Sequence, residues 1–380
     1  MPDDFGKWWK DLKKHQKRVN HWLPHAKDIS RLITPARRNF RYLTLCARTM
    51  IDVFMMAKED ILAHDEDFGN ISDVVFCEVD PNHFPEITEM LGIEGSGFFG
   101  KLEDLVLFHD DDYTAQFPEI THIEEELERE GENLSPDLQK RLDLKTRHLE
   151  FSQKFPRDFL NLDFCELYYL HPQDEPPVEI FQVNQTVERI LTFQARPGLD
   201  EKGVYVIVDE FVMAITCRYD ETLPDPAFVR LENIVSQNRA DHAAYRDAVT
   251  ELKGTDVVRN WRNEDSFDFF LASWPKDLLR TARDTGWRME VIDYVYYDRP
   301  DDGRGPYKIV CLVGRFLRDA NLPPYIDQAI RVLGTDSRVS ISEIGRGSHL
   351  GQSLLSDLEG VVEVRNRRAT RIGRENLPPP

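Results

Sequence analysis

The sequence lacks the short motifs that identify many enzymes and metalloproteins. It contains no GxSxG, P-loop, HExxH or protein-kinase signature, and its five cysteines are never spaced as CxxC. A zinc or iron–sulfur site is therefore not expected, and neither is any other metal. No apolar run approaches the roughly 18 residues of a membrane helix, and charged residues stand where a signal peptide needs an apolar stretch. We therefore expect a cytoplasmic protein with buried, reduced thiols.

Glycine is missing from one turn where its absence matters. Residues 40–46 have the pattern of an apolar strand, a helical pattern begins at about 50, and the turn between them reads Cys46-Ala47-Arg48-Thr49. Cofactor-binding α/β proteins usually carry glycines in such a turn, because glycine lets the backbone approach the cofactor. Either cofactor binding is unusual in this protein or it has been lost.

Charge is abundant but unevenly distributed. The formal net charge is −20, which argues against attraction of the whole surface to nucleic acid or to an anionic membrane. The first 41 residues are nevertheless basic, residues 119–132 are acidic, and the last stretch is basic through Arg365, Arg367, Arg368, Arg371 and Arg374. The two basic segments could bind nucleic acid. The helical spacing of Trp8, Leu12, Val19 and Trp22 favours the alternative, an amphipathic N-terminal helix packed on the sheet with its lysines in water.

Strand and helix patterns alternate along most of the chain. Apolar runs at 71–77, 98–102, 158–162 and 211–216 are separated by helical patterns, and two last strands flank a turn-rich loop. This alternation predicts an α/β fold with a mostly parallel seven-strand sheet, helices on both faces and a terminal antiparallel hairpin. The predicted units are a basic helical extension at 1–37, an α/β domain at 38–318 with a charged helical insertion at about 113–156, and a helical tail with a polar, proline-rich end at 319–380.

Polar or charged residues follow each predicted strand at its carboxyl end, where ligands bind in parallel sheets. The candidate site residues, in strand order, are Cys46 and Arg48, Glu78 and Asp80, Glu103 and Asp104, and Asp163 and Phe164. A carboxylate after the second strand can accept both hydroxyls of a ribose, and one after the third can accept from an amino group. The same residues also allow an Asp-Pro turn at Asp80, a loop cap at Asp163, or an ion pair of Arg48 with Asp163 or Glu78.

This order of strands and strand-end residues resembles that of the S-adenosylmethionine-dependent methyltransferases of the Rossmann-like class. Residues 286–291 and 306–311 are similar to the last two strands of that class, in which the seventh strand is antiparallel and inserted. The run from Asp158 to Phe164 resembles the fourth-strand motif of the three-Cys-motif partner proteins and of the tRNA guanine dimethyltransferases. The resemblance covers roughly residues 38–318 and implies a Rossmann-like methyltransferase fold.

The resemblance also implies S-adenosylmethionine as cofactor and assigns roles to the candidate residues. Glu78 or Asp80 would hold the ribose, and Asp104 or Glu103 would lie near the adenine amino group. Asp163 and Phe164 would lie at the methyl-transfer centre, with Cys46 and Arg48 at the methionine end of the cofactor. The sequence departs from the family in lacking the glycine-rich turn and the fourth-strand prolines that present a flipped base.

Several functions are compatible with these patterns. The first is a methyltransferase that acts on nucleic acid or on the substrate of a partner protein. The second is a catalytically inactive scaffold or sensor subunit on the same fold, which resembles components of bacterial anti-phage defence systems. The third is an enzyme that binds a nucleotide or nucleotide-sugar. We expect a protein partner or a homo-oligomer, and no membrane.

Overall fold

The centre of the protein is an eight-stranded mixed sheet with helices on both faces. A computed structural model describes residues 10–33, 38–45, 49–66, 68–92, 97–106, 136–167, 182–199, 205–219, 225–254, 258–299, 307–318 and 325–380. The strands of the main sheet are β1 (Tyr42–Leu45), β2 (Val74–Glu78), β3 (Gly97–Phe99), β4 (Phe159–Leu167), β7 (Glu210–Tyr219), β8 (Arg288–Arg299), β9 (Tyr307–Leu317) and β10 (Val339–Ser340). Two further strands, β5 (Gly198–Leu199) and β6 (Tyr205–Val206), pair with each other outside the main sheet.

The strand order is β10-β8-β9-β7-β4-β1-β2-β3. Strand β9 is antiparallel to both of its neighbours, and every other pair in this sheet is parallel. The prediction of an α/β protein with a mostly parallel sheet is confirmed. The predicted count of seven strands is wrong, because the two residues of β10 add an eighth strand beside β8.

Helices cover the two faces of the sheet unequally. One face carries a helical run of α1 (Leu12–Gln16), a π-helix (Lys17–Trp22) and α2 (Leu23–Ile33), with α3 (Ile51–Lys58), α4 (His83–Leu91) and the last helix, α13 (His349–Arg371). The other face carries α5 (Leu102–Val106), α6 (Pro136–Ser152), α7 (Gln182–Gln194), α8 (Asp225–Asp241), α9 (Ala243–Lys253), α10 (Val258–Glu264), α11 (Ser266–Asp284) and α12 (Tyr325–Arg331). Each face buries its own apolar cluster, as strand alternation requires.

The N-terminal helical run has a local cause for its π-helical turn. Pro24 has no N–H, and its ring clashes with the carbonyl four residues earlier in a regular α-helix. The chain widens just before this proline, and the N–H of Leu23 bonds to the carbonyl of Arg18, five residues back. The widened turn packs against the sheet, where the ring of Trp22 lies 5.5 Å from that of Phe159. Residues 12–33 therefore belong to the layered core.

Two boundaries differ from the prediction. The third strand ends at Phe99, because Gly100 has a φ of +128° that L-residues rarely adopt. Glu103 and Asp104 consequently lie in α5 and not directly after a strand. In the charged insertion, residues 113–135 lie outside the described residues, and the described remainder contains α6.

Within the described residues, no helix is both long and apolar enough to cross a membrane. Cys77, Cys217 and Cys311 are free and buried.

The packing of the N-terminal helical run predicts a large loss of stability when its main anchor is removed. Trp22→Ala deletes a side chain that is 1% exposed, and we expect the free energy of unfolding to fall by about 3–5 kcal/mol. Urea unfolding of the full chain measures this change. Leu32→Ala, on the same helical run but 59% exposed, is the matched control and should change stability by less than about 0.5 kcal/mol. Equal effects of the two substitutions would contradict the packing described above.

Candidate functional site

Asp163 lies near the carboxyl end of β4, in register with Thr216 on β7. Its Oδ2 lies 3.0 Å from Nζ of Lys14 and 3.8 Å from Nζ of Lys17. The ammonium group of Lys17 also donates a hydrogen bond of 2.9 Å to the Thr216 hydroxyl. The ends of two neighbouring strands are thus tied to the N-terminal helical run.

The spacing of the basic residues explains how they reach one carboxylate. Residues three and four apart on a helix share a face, so Lys14, Lys17 and Arg18 point toward the same side. Burial by itself would raise the pKa of Asp163, but the positive charges of these three residues outweigh it and hold the pKa well below its usual range. Asp163 therefore carries its negative charge throughout the physiological pH range.

Other polar residues of the N-terminal run are also engaged within the protein. His15 lies 3.0 Å from Asp357, and burial lowers the pKa of this histidine. The other ion pairs along the run are Lys13 with Glu343, Lys27 with Glu59, and Arg31 with Asp28, and Nδ1 of His21 lies 2.9 Å from a carboxylate oxygen of Asp293. The expectation of lysines in water is wrong for Lys13 and Lys17, which are buried.

The side chains of Asp163 and Phe164 lie on opposite faces of the sheet. Successive side chains on a strand point to opposite faces, and Phe164 packs with Leu160 and Leu162 in the cluster on the far side of the sheet. Asp163 instead faces the N-terminal helical run. The structure therefore does not bring the two predicted catalytic residues together.

Glu78 and Asp80 are both engaged in the turn that follows β2. Glu78 accepts a hydrogen bond of 2.8 Å from the N–H of Asp80, and burial raises the pKa of its carboxyl. Asp80 accepts from the backbone N–H of Asn82 at 2.8 Å and from its amide at 3.1 Å. The backbone hydrogen bond from Asn82 is the main cause of the lowered pKa of Asp80. Both carboxylates stabilise the Asp-Pro turn into α4, the alternative that the sequence also allowed.

The remaining predicted cofactor residues are only partly covered by the structure. Cys46 and Arg48 lie outside the described residues, and of Asp104 only the backbone is described, in α5. Glu103, on the same helix, is half-buried. Immediately after the glycine-poor turn, Met50 adopts a left-handed φ of 51°, a conformation for which glycine is the usual residue.

A second polar cluster near the start of α3 escaped the sequence interpretation. The carboxylate of Asp52 accepts hydrogen bonds from Tyr42 at 2.8 Å, Thr44 at 2.7 Å and Asn161 at 3.3 Å. All four side chains are buried on the face that the N-terminal helical run covers. Polar residues at alternate positions of otherwise apolar strands, such as 42 and 44, were the available signal. Because its donors come from β1 and β4, Asp52 fastens α3 to the sheet.

The lysine pairs predict that Asp163 stabilises the fold. Asp163→Asn removes the negative charge and leaves two poorly exposed ammonium groups without their counter-ion, which typically destabilises a protein by about 3–5 kcal/mol. Chemical unfolding of the full chain measures the loss. Asp28→Asn is the matched control, because Asp28 pairs with Arg31 in an exposed position. A loss for Asp163→Asn no greater than for the control would contradict the account.

The lowered pKa of Asp163 gives this stabilisation a defined pH dependence. A carboxyl in the unfolded chain titrates near pH 3.9, so the contribution of Asp163 is fully present above that value. It is lost as the pH falls toward the lower pKa of the folded state. We therefore expect the stability difference between wild type and Asp163→Asn to be constant from neutral pH to about pH 5 and to shrink in stronger acid. A difference that grows on acidification would contradict the lowered pKa.

Comparisons of the chain with protein-family models, with curated proteins and with solved structures each find no match. The function must therefore be argued from the arrangement of the chain's own residues at the carboxyl edge of the sheet.

Proposed function

We propose that this protein is a methyltransferase-like α/β protein that acts as a non-catalytic subunit of a protein complex. The observation that carries the proposal is the ion pairing of Asp163 with Lys14 and Lys17 at the end of β4. A role in bacterial anti-phage defence stays a prediction from the resemblance.

The strand order supports the methyltransferase-like part of this proposal. Without the short β10, the sheet reads β8-β9-β7-β4-β1-β2-β3, with the antiparallel β9 inserted between β7 and β8. An inserted antiparallel last strand is the feature by which the sequence resembles this class. Fold alone does not establish activity, so the choice between enzyme and scaffold depends on the site.

The site supports a non-catalytic role. Methyl transfer needs an acceptor held in line with the sulfonium, and positioning supplies most of the rate enhancement. Asp163, the residue expected to place that acceptor, is held by two lysines of the N-terminal helical run. Glu78 and Asp80, expected on the cofactor ribose, accept hydrogen bonds from their own turn. These carboxylates contribute to the internal structure of the protein.

The basic C-terminal segment supports a protein partner over nucleic acid. Arg365 lies 3.6 Å from Glu86, Arg368 donates to the carbonyl of Met90, and Arg374 pairs with Glu89. These three arginines fasten α13 and the residues after it to α4. With Lys13, Lys14, Lys17 and Lys27 also paired internally, neither basic segment presents all of its charge to a phosphate backbone.

A second candidate function, S-adenosylmethionine-dependent methyl transfer, is favoured by one observation. Val79, directly after β2, is 57% exposed, and Phe99, at the end of β3, is 42% exposed. The two strand ends are adjacent, since Glu78 pairs in register with Phe99. An exposed apolar surface at the carboxyl edge suits a planar adenine. The described residues therefore fit the adenine of the cofactor better than its ribose.

Calorimetric titration with S-adenosylmethionine and S-adenosylhomocysteine distinguishes the two candidates. For the non-catalytic subunit we expect no binding up to millimolar ligand. Micromolar binding that is weakened by Asp80→Ala and Phe99→Ala would overturn the proposal and support the enzyme. Val339→Ala is the control, because this exposed residue lies on β10, at the opposite end of the sheet from β3. Its titration should match that of the wild type in either case.

A further inference from the structure

Three buried nitrogen groups on one stripe of the N-terminal helical run have no hydrogen-bond partner among the described residues. They are Nδ1 of His15, Nη1 of Arg18 and Nε1 of Trp22. Their spacing of three and four residues puts them on one side of the run. Burial lowers the pKa of His15 and its Nε2 donates to Asp357, so Nδ1 of this ring is an acceptor, whereas Nη1 of Arg18 is a donor. Native proteins pair nearly all buried polar groups, so the unpaired donor of Arg18 indicates an acceptor that the described residues do not supply.

Three cations of the run lie near one carboxylate. Lys14, Lys17 and Arg18 all act on Asp163, the carboxylate to which both lysines are paired. The charge of Arg18 also acts on His15, so the guanidinium lies near both residues. Arg18 is only 8% exposed, and its Nη1 is buried without a hydrogen-bond partner among the described residues. Both lysines are already paired with Asp163, so the donor that remains for a further acceptor is that of Arg18.

We propose that Arg18, Lys14 and Lys17 bind the phosphate group of a small phosphorylated ligand at the carboxyl edge between β4 and β7. The guanidinium of arginine offers a planar fork of donors that matches phosphate oxygens, and the two ammonium groups add point charges. The Thr216 hydroxyl, which already accepts from Lys17, lies at the same edge. The side chains of Lys14 and Asp163 are 16% and 14% exposed, so the ligand enters past them.

The charge balance favours phosphate over a carboxylate ligand. Lys14, Lys17 and Arg18 act together on Asp163, and a phosphate monoester, with a charge of about −1.5 to −2 near neutral pH, interacts more strongly with three cations than a singly charged carboxylate does. A polynucleotide fits less well, because two further cations of the run, Lys13 and Lys27, are paired with carboxylates. This inference does not depend on whether the protein transfers methyl groups.

The test measures the melting temperature of the full chain against rising inorganic phosphate at constant ionic strength. We expect wild type to be stabilised by millimolar phosphate, because a ligand that binds only the folded state raises its stability. Arg18→Gln should weaken the apparent affinity at least about tenfold, since it removes charge-assisted hydrogen bonds to the anion. Arg31→Gln, 75% exposed on the same helical run, is the matched control and should leave the affinity unchanged.

A second variant and a second readout keep the test decisive. If Arg18→Gln does not fold, Lys14→Gln replaces it, and broadening of the phosphate ³¹P resonance reports binding without melting. Adenosine monophosphate and adenosine identify the source of the phosphate group. Tighter binding of the monophosphate than of phosphate supports a phosphorylated metabolite, equal binding supports free phosphate, and adenosine should not bind. No response of wild type to phosphate, an equal response in Arg18→Gln, or binding of a single-stranded oligonucleotide alone would overturn the proposal.

Failure of this inference and failure of the proposed function are separable. Phosphate binding that depends on Arg18 concerns the ends of β4 and β7, whereas S-adenosylmethionine binding that depends on Asp80 and Phe99 concerns the ends of β2 and β3. The two titrations are done on the same protein with different variants, so each result stands independently.

Discussion

The ion pair between Asp163 and the lysines of the N-terminal helical run determines what the carboxyl edge of the sheet can do. Charges as poorly exposed as those of Asp163 and Lys17 are stable only when they are paired and hydrogen-bonded. Asp163 meets this condition through Lys14 and Lys17, and Lys17 also bonds to Thr216. The pairing joins β4, β7 and the helical run, so residues 12–33 form part of one layer of the fold.

The neighbouring helices support this arrangement. Asp357 on α13 accepts from His15 at 3.0 Å and from Lys58 on α3 at 3.0 Å, which links three helices over the same face. Asp52 then fastens α3 to β1 and β4 through three hydrogen bonds. Carboxylates in this region therefore mostly hold elements together. The exceptions among the described residues are Nη1 of Arg18 and Nε1 of Trp22, two buried donors without an acceptor.

The sequence predicts the sheet better than the site, because hydrophobic patterns are local and ion pairs are not. The alternation of strand and helix patterns identified the parallel strands and the hairpin of β8 and β9. It did not identify β10, because two residues are too few to form a pattern. The alternation of side chains along a strand is enough to predict that Asp163 and Phe164 face opposite sides of the sheet. The Asp-Pro sequence likewise indicated the turn at Asp80. The spacing of Lys14, Lys17 and Arg18 was visible as well. Their partner, Asp163, was not visible in the sequence, because it lies far away in the chain and only the folded topology brings it to these cations.

The most direct test of the account is a double-mutant cycle on Lys14 and Asp163. Lys14→Met, Asp163→Asn and the double variant are compared with wild type by urea unfolding of the full chain. The distance of 3.0 Å between Nζ of Lys14 and Oδ2 of Asp163 predicts that the two substitutions are coupled by at least about 1 kcal/mol. Once one substitution has removed the ion pair, the other should lower the free energy of unfolding by much less than it does in the wild type. Additive losses, within about 0.3 kcal/mol, would show that the N-terminal helical run does not hold Asp163 and would contradict the account of the site.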